Sequence, residues 1–163
     1  MSSRDCCIVG QLDLRNGTTM DQVREAMVSF LAGDDAEFDR QAEDGNIDVD
    51  CGVLLLHVDF KGYGGAGNDE ANQLAESLGR ICAGPGWFEV LDLDTVDQES
   101  AVTPYFIGND SERRIARVEY GLQQMERWVA PIIGREKVQM IRDEISSMVS
   151  EEQEPAKRHA PRL

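Results

Sequence analysis

Basic residues are scarce in this chain, and the scarcity limits what the chain can bind. Its 163 residues hold 16 Lys and Arg against 31 Asp and Glu, which gives a net charge of −15 at pH 7. A surface of that sign repels the phosphates of nucleic acids and of anionic lipids. The composition therefore predicts no direct nucleic-acid binding and no attachment to a membrane surface.

Long apolar runs are also lacking. The longest strong run, "VLLLHV" at residues 53–58, has the length of a strand, whereas a membrane-spanning helix needs about 18 apolar residues. The first residues, "MSSRDCC", contain no apolar stretch of the kind that signal peptides carry. We expect a cytoplasmic protein, and 41% hydrophobic residues are enough for a packed core.

The four cysteines form no C-x-x-C pair. Cys6 and Cys7 are adjacent, so in a strand their side chains point to opposite faces and cannot chelate one ion together. With Cys51 and Cys82 they are expected to be reduced, buried packing residues. The sequence predicts no metal site and no cofactor.

The periodicity of apolar residues predicts a β-α-β-β-α-β order followed by one more strand and two helices. Strands are predicted at 6–14, 36–43, 47–60, 87–94 and 101–108, and helices at 20–31, 71–81, 110–131 and 138–148. Thr19 and Gln22 have the spacing of a capping box, the Asp-Gly of "EDGN" suits a hairpin turn, and Pro104 indicates an edge strand. The order predicts an α+β fold, a ferredoxin-like split βαββαβ sandwich with an extra edge strand and a C-terminal helical extension.

The charge is divided unevenly along the chain. Residues 1–110 hold 22 acidic and 6 basic residues, and residues 111–163 hold 9 and 10. We expect an acidic domain at 1–109, a helical extension at 110–150 and a disordered tail at 151–163. Both faces of the strand at 47–60 are largely apolar, so the extension or a second subunit should cover one of them. A homodimer is therefore expected.

A glycine-rich stretch, "FKGYGGAG", follows the predicted strand at 47–60. It contains G-x-G-x-x-G at Gly62, Gly64 and Gly67, with Tyr63 between the first two, which is the pattern of a phosphate-binding loop. Asp69 and Glu70 follow in the first turn of the next helix, where their charge repels a phosphate. We interpret the stretch as a flexible loop that borders a contact surface.

Two catalytic alternatives remain open from the sequence. Asp13 and Asp59 would lie on adjacent parallel strands, where they could hold Mg²⁺ for phosphoryl transfer or nucleotide binding beside the glycine stretch, with Arg15 and Lys61 as phosphate partners. His57 and Asp59 could instead form an acid–base pair. Cys51 cannot complete a triad with them, because it lies about 20 Å from His57 along an extended strand.

Acidic residues are densest at 34–50, where eight acids accompany one Arg. They are Asp34, Asp35, Glu37, Asp39, Glu43, Asp44, Asp48 and Asp50. If two strands carried them, alternate carboxylates would be about 6.6 Å apart, close to two base-pair rises of DNA. The sequence therefore favours an acidic module that binds a basic, nucleic-acid-binding protein, in the manner of anti-restriction or anti-CRISPR inhibitors. A structural oligomerisation unit is a further alternative.

Overall fold

The computed structural model describes residues 3–31, 35–63, 67–92 and 102–153. Five strands and five helices lie within these ranges. In chain order they are β1 (Ser3–Asp13), α1 (Met20–Val28), α2 (Asp35–Glu43), β2 (Ile47–Asp50), β3 (Val53–Tyr63), α3 (Gly67–Gly79), β4 (Gly86–Asp92), β5 (Val102–Ile107), α4 (Asp110–Ile133) and α5 (Arg135–Gln153).

The five strands form one sheet in the order β2-β3-β1-β4-β5, and every neighbouring pair is antiparallel. The protein is thus a mixed α+β fold. β1 and β3 pair over their whole length, from Ser3 opposite Tyr63 to Asp13 opposite Val53. The two long central strands therefore set the positions of all side chains in the middle of the sheet.

One sheet face packs against helices α1, α2 and α3. On β3, Leu54, Leu56 and Val58 are buried on this face, while the alternate residues are exposed on the other. The core on the helix side includes Ile8, Leu12, Val23, Met27, Phe38, Leu74, Leu78, Phe88 and Ile107. The opposite face, which carries Cys7, Leu55, His57 and Asp59, is called the outer sheet face below.

Several local predictions are confirmed. Thr19 and Gln22 form the capping box of α1: each backbone N–H bonds the other's side-chain oxygen. β5 lies at the edge of the sheet, where Pro104 breaks no central hydrogen-bond ladder. The helix predicted at 71–81 forms as α3, and it ends at Gly79.

The strand predicted at 36–43 is wrong, because these residues form helix α2. Phe38 and Gln41 are buried at helical spacing, and Arg40 forms ion pairs with Glu37 and Asp44, three and four residues away. The Asp-Gly sequence that suggested a hairpin ends this helix instead. Gly45 has φ +75°, and the N–H of Asn46 donates to the carbonyl of Gln41 at 2.8 Å, as in a Schellman motif.

The single strand predicted at 47–60 is divided into β2 and β3. The chain turns between them at Cys51 and Gly52, whose φ angles are +51° and +82°. Positive φ at both central residues is the requirement of the two-residue turn that joins twisted antiparallel strands. The sheet hairpin is therefore β2–β3, and Cys51 is exposed at its tip rather than buried.

The chain divides into two compact units, Met1–Ala116 and Arg117–Leu163. The described part of the second unit comprises α4 from Arg117 onward and all of α5. Asn109 caps the start of α4: its side-chain oxygen accepts from the backbone N–H of Glu112, and its own backbone N–H donates to the Glu112 carboxylate. Gly134, with φ +93°, separates α4 from α5. Among the described helices, none has the length and apolar character needed to cross a bilayer.

α5 extends past the predicted end of the helical extension, to Gln153. The remainder of the predicted tail, residues 154–163, lies outside the described residues, as do Asp34 and residues 64–66 of the glycine stretch.

Candidate functional site

The pairing of β1 with β3 brings three chemically active side chains together on the outer sheet face. Cys7 lies directly opposite Asp59, and His57, which pairs with Val9, is the diagonal neighbour of Cys7 on the same face. One ligand atom from each of Cys7, His57 and Asp59 lies within 4.8 Å of the other two. No other such group of three metal-ligating residues occurs among the described residues. We call these three residues the Cys7–His57–Asp59 cluster.

The thiol in this cluster is not poised as a nucleophile. Cys7 is only 4% exposed, and burial raises the pKa of its thiol to about 12, with a hydrogen bond to Asp59 and the charge of Asp59 acting in the same direction. Reactive cysteines have lowered pKa values and are accessible. Cys7 therefore stays protonated in the absence of a cation, whereas His57 and Asp59 are exposed to solvent.

The donor atoms of the cluster are a sulfur, an imidazole nitrogen and a carboxylate oxygen. Such a set is suited to Zn²⁺ and similar transition metals rather than to Mg²⁺, which prefers oxygen ligands in octahedral geometry. The cluster is not evident from the sequence, where Cys51 and not Cys7 is the cysteine close to His57 and Asp59 along the chain. The available signal was the His-x-Asp spacing on one strand, but the partner strand's register was needed to add Cys7.

The proposed proximity of Asp13 and Asp59 is wrong. β2 returns parallel to β1 after the helices, and the tight β2–β3 hairpin then makes β3 antiparallel to β1. Asp13 pairs with Val53, whereas Asp59 pairs with Cys7, so the two carboxylates are six residues apart, about 20 Å along the strands. They cannot share one Mg²⁺ ion.

Arg15, which was expected to bind phosphate at that site, instead makes a structural hydrogen bond. The Nε of Arg15 donates to the carbonyl of Cys82 at 2.9 Å and so joins the end of β1 to the segment after α3. Gly62 and Tyr63 are the last residues of β3 rather than part of a loop, and α3 begins at Gly67. The first turn of α3 carries Asp69 and Glu70, both exposed.

The acidic segment forms a helix followed by a short strand, not a two-stranded ribbon. Asp35 and Asp39 are one turn apart on α2, while Asp48 and Asp50 alternate on β2 and are exposed. The carboxylate spacing of about 6.6 Å, expected along two strands, is therefore retained only on β2. The match to phosphate spacing over the whole segment is lost.

Some of these carboxylates are neutralised within the protein. Arg24 pairs with Asp39 at 2.6 Å, and Arg40 pairs with Glu37 at 2.6 Å and with Asp44 at 3.2 Å. Hydrogen bonds from Arg40 and then from Gln41 lower the pKa of Glu37 to about 2. Within the described ranges, no basic side chain pairs with the exposed Asp35, Glu43, Asp48 or Asp50. These four residues are called the open carboxylates below.

The second unit exposes large apolar side chains. Trp128 is 66% exposed and Ile132 is 81% exposed, and one helical turn separates them on α4. On α5, Met140 and Met148 are also exposed. A groove in this unit is lined by Gln123, Glu126, Arg127, Ala130, Pro131 and Arg135. Arg142 joins the two helices by ion pairs with Glu119 and Glu126.

Comparison of the chain with protein-family models, with curated proteins and with solved structures gives no match.

Proposed function

We propose that this chain is an acidic protein-interaction module: it forms a homodimer through its C-terminal helices and engages a basic protein surface with its acidic segment. The observation that supports partner binding most directly is the set of open carboxylates on α2 and the β2–β3 hairpin. Complementary charge of this kind accelerates encounter and selects partners of opposite sign.

The internal ion pairs refine which acids would contact the partner. Arg24 and Arg40 hold Glu37, Asp39 and Asp44, so these three carboxylates support α2 rather than present uncompensated charge. Asp35, Glu43, Asp48 and Asp50 carry the interaction in this proposal. Asp48 and Asp50 project from β2 on the outer sheet face, opposite Leu55 and Val53 of β3.

The partner-binding proposal is tested by charge reversal with a matched control. Replacement of all four open carboxylates by Lys should abolish capture of the protein that wild type retains from a lysate. The control replaces Asp21, Glu25, Glu70 and Glu76, exposed acids of α1 and α3, by Lys and changes the net charge equally. Equal loss of capture in both variants would show that only total charge matters and would contradict the proposal.

Nucleic-acid mimicry is the narrower form of this proposal, and it predicts inhibition. A captured partner should bind DNA or RNA, and added wild-type protein should displace that nucleic acid whereas the four-residue Lys variant should not. A partner that binds the module and its nucleic acid at the same time would exclude mimicry and leave a plain interaction module.

The homodimer rests on the apolar surface of the second unit. Within its described part only Leu122, Ala130 and Val138 are buried hydrophobic residues, which is a small core for two helices. A second copy is the occupant that the charge distribution favours: residues 111–163 are nearly neutral, whereas two copies of residues 1–110 repel each other. If the α4–α5 helix pairs of two copies packed together as a four-helix bundle, they would bury Trp128, Ile132 and Met140. The same surface supports the alternative of a purely structural oligomerisation unit. In that case the dimer forms, but replacement of the four open carboxylates by Lys changes no partner capture.

We also assign the first unit to the ferredoxin-like sandwiches. The order β2-β3-β1-β4, the antiparallel pairings and helices on one face support this assignment, with β5 as the extra edge strand and α2 as an additional helix. A cytoplasmic location is in keeping with the buried thiols of Cys7 and Cys82.

A further inference from the structure

We propose that Cys7, His57 and Asp59 form a binding site for one Zn²⁺ ion on the outer sheet face, with the fourth coordination position left to water. This site is separate from the open carboxylates that we assign to partner binding. It depends on neither the acidic interaction nor the dimer.

The register of the sheet preorganises the three ligands. Cys7 and Asp59 are directly opposed on neighbouring antiparallel strands, and His57 lies two residues before Asp59 on the same face. Ligands on paired strands are held by the backbone ladder, so little order has to be gained when the ion binds.

The distances need only a small adjustment. The three ligand atoms lie within 4.8 Å of one another. In a tetrahedral zinc site with bonds of about 2.0–2.3 Å, neighbouring ligand atoms are about 3.4–3.6 Å apart. His57 and Asp59 are exposed, so their side chains can rotate toward the buried sulfur of Cys7 without repacking the core.

The chemistry of the ligands selects the metal and leaves one position open. Thiolate and imidazole favour Zn²⁺ over the hard cations Mg²⁺ and Ca²⁺, and three protein ligands are fewer than the four of closed structural zinc sites. On binding, the S–H bond of Cys7 breaks, a metal–sulfur bond forms, and the proton passes to solvent. No oxidant or reductant is needed.

Cobalt substitution tests the site directly. The purified full chain is stripped with a chelator, dialysed, and titrated with Co²⁺ and then with Zn²⁺ while the absorption spectrum is recorded. We expect one equivalent of Co²⁺ to produce the near-ultraviolet thiolate-to-cobalt band and the visible bands of tetrahedral cobalt, and one equivalent of Zn²⁺ to remove them.

Single substitutions identify the ligands. Cys7→Ser should abolish the thiolate band, and His57→Ala or Asp59→Ala should weaken binding more than about 100-fold, since loss of an outer partner alone costs about 10–100-fold. The matched controls are Cys51→Ser, Asp13→Asn and His159→Gln, which replace residues of the same types outside the cluster. They should bind Co²⁺ as wild type does.

Several results would overturn the site. Absence of the stoichiometric cobalt spectrum in the wild-type protein would do so. Retention of the spectrum in both His57→Ala and Asp59→Ala, or its loss in Cys51→Ser, would do so as well. If Cys7→Ser fails to fold, the two alanine variants decide alone, because they alter exposed side chains of β3.

Discussion

The two units of this protein distribute their apolar side chains in opposite ways. In the first unit the helix face of the sheet buries residues such as Ile8, Phe38 and Phe88 completely. In the second unit the large apolar residues Trp128 and Ile132 face solvent. Burial stabilises a fold in proportion to the apolar area removed from water, so the first unit is stable through its own core. The second unit gains comparable burial only against another surface.

The charge distribution follows the same division. The acidic excess lies within residues 1–110, while residues 111–163 are almost balanced. Repulsion between copies is therefore smallest where apolar residues are exposed and largest where they are buried. In the proposed function, self-association and the binding of a basic partner therefore use different surfaces of one chain.

The largest expected effect comes from the core of the first unit. Phe88 is fully buried on β4, and its ring stacks on that of Tyr105 with centroids 5.4 Å apart. Phe88→Ala should lower the free energy of unfolding by about 3–5 kcal/mol, measured by urea denaturation. Val138→Ala in the second unit should lower the free energy of unfolding clearly less than Phe88→Ala does. A comparable loss in both would remove the contrast between the two cores.

A glycine-to-alanine pair gives effects of opposite sign in the two units. A Cβ at Gly10 would lie 2.8 Å from the Cβ of Phe88, so Gly10→Ala should destabilise by about 1–3 kcal/mol. At Gly121 in α4 a Cβ meets nothing within 4 Å, and Gly121→Ala should stabilise by about 0.5–1 kcal/mol through helix propensity. Thermal denaturation of both variants checks the signs. A neutral Gly10→Ala would mean that β1 and β4 can separate more easily than this packing implies.

A smaller effect is expected where the second unit uses charge instead of apolar burial. Arg142 contacts Glu119 at 3.2 Å and Glu126 at 3.4 Å, and all three side chains are partly exposed. Arg142→Gln should therefore destabilise by only about 0.2–1 kcal/mol, and the loss should shrink as salt is added. Denaturation at low and high ionic strength measures it. A loss that is independent of salt would indicate packing by the arginine stem rather than charge.

The smallest expected effect is the pH-dependent contribution of Glu37 on α2 to the stability of the protein. The folded pKa of Glu37, about 2, is below its ordinary value of 4.5, so its contribution to stability is present above pH 4.5 and is lost as the pH falls toward 2. Because the side chains of Glu37 and Arg40 are 34% and 57% exposed, solvent screens the pair and the contribution is small. Glu37→Gln should be less stable than wild type above pH 4.5 and approach it near pH 2. A pH-independent difference for Glu37→Gln would argue against the ion pair with Arg40.

Local signals in the sequence predicted much of the fold. The Thr19–Gln22 capping box depends only on residues three apart, and Pro104 cannot donate a hydrogen bond in a central strand. Both features could therefore be recognised without knowledge of tertiary contacts. The alternating acids of α2 misled the prediction. Their spacing suits a strand, whereas the buried Phe38 and Gln41 and the ion pairs of Arg40 make the segment helical.

The Cys7–His57–Asp59 cluster could not be predicted from local signals, because it depends on the pairing register of two strands. Cys7 and Asp59 are far apart in the sequence, and they meet only because β1 and β3 are antiparallel with Cys7 opposite Asp59. A one-residue slip in that register would turn one of them to the helix side of the sheet. The same register separates Asp13 from Asp59, although the sequence predicts that they lie on adjacent parallel strands.

Sedimentation equilibrium of the full chain tests the division between the two units most directly. Wild type should be a dimer, and the triple variant Trp128→Gln, Ile132→Gln and Met140→Gln should be a folded monomer. The matched control, Met20→Gln, Leu55→Gln and Val102→Gln, changes exposed apolar residues of the first unit, two of them on the outer sheet face, and should remain dimeric. A monomeric wild type, or a dimer lost only in the control, would contradict the account.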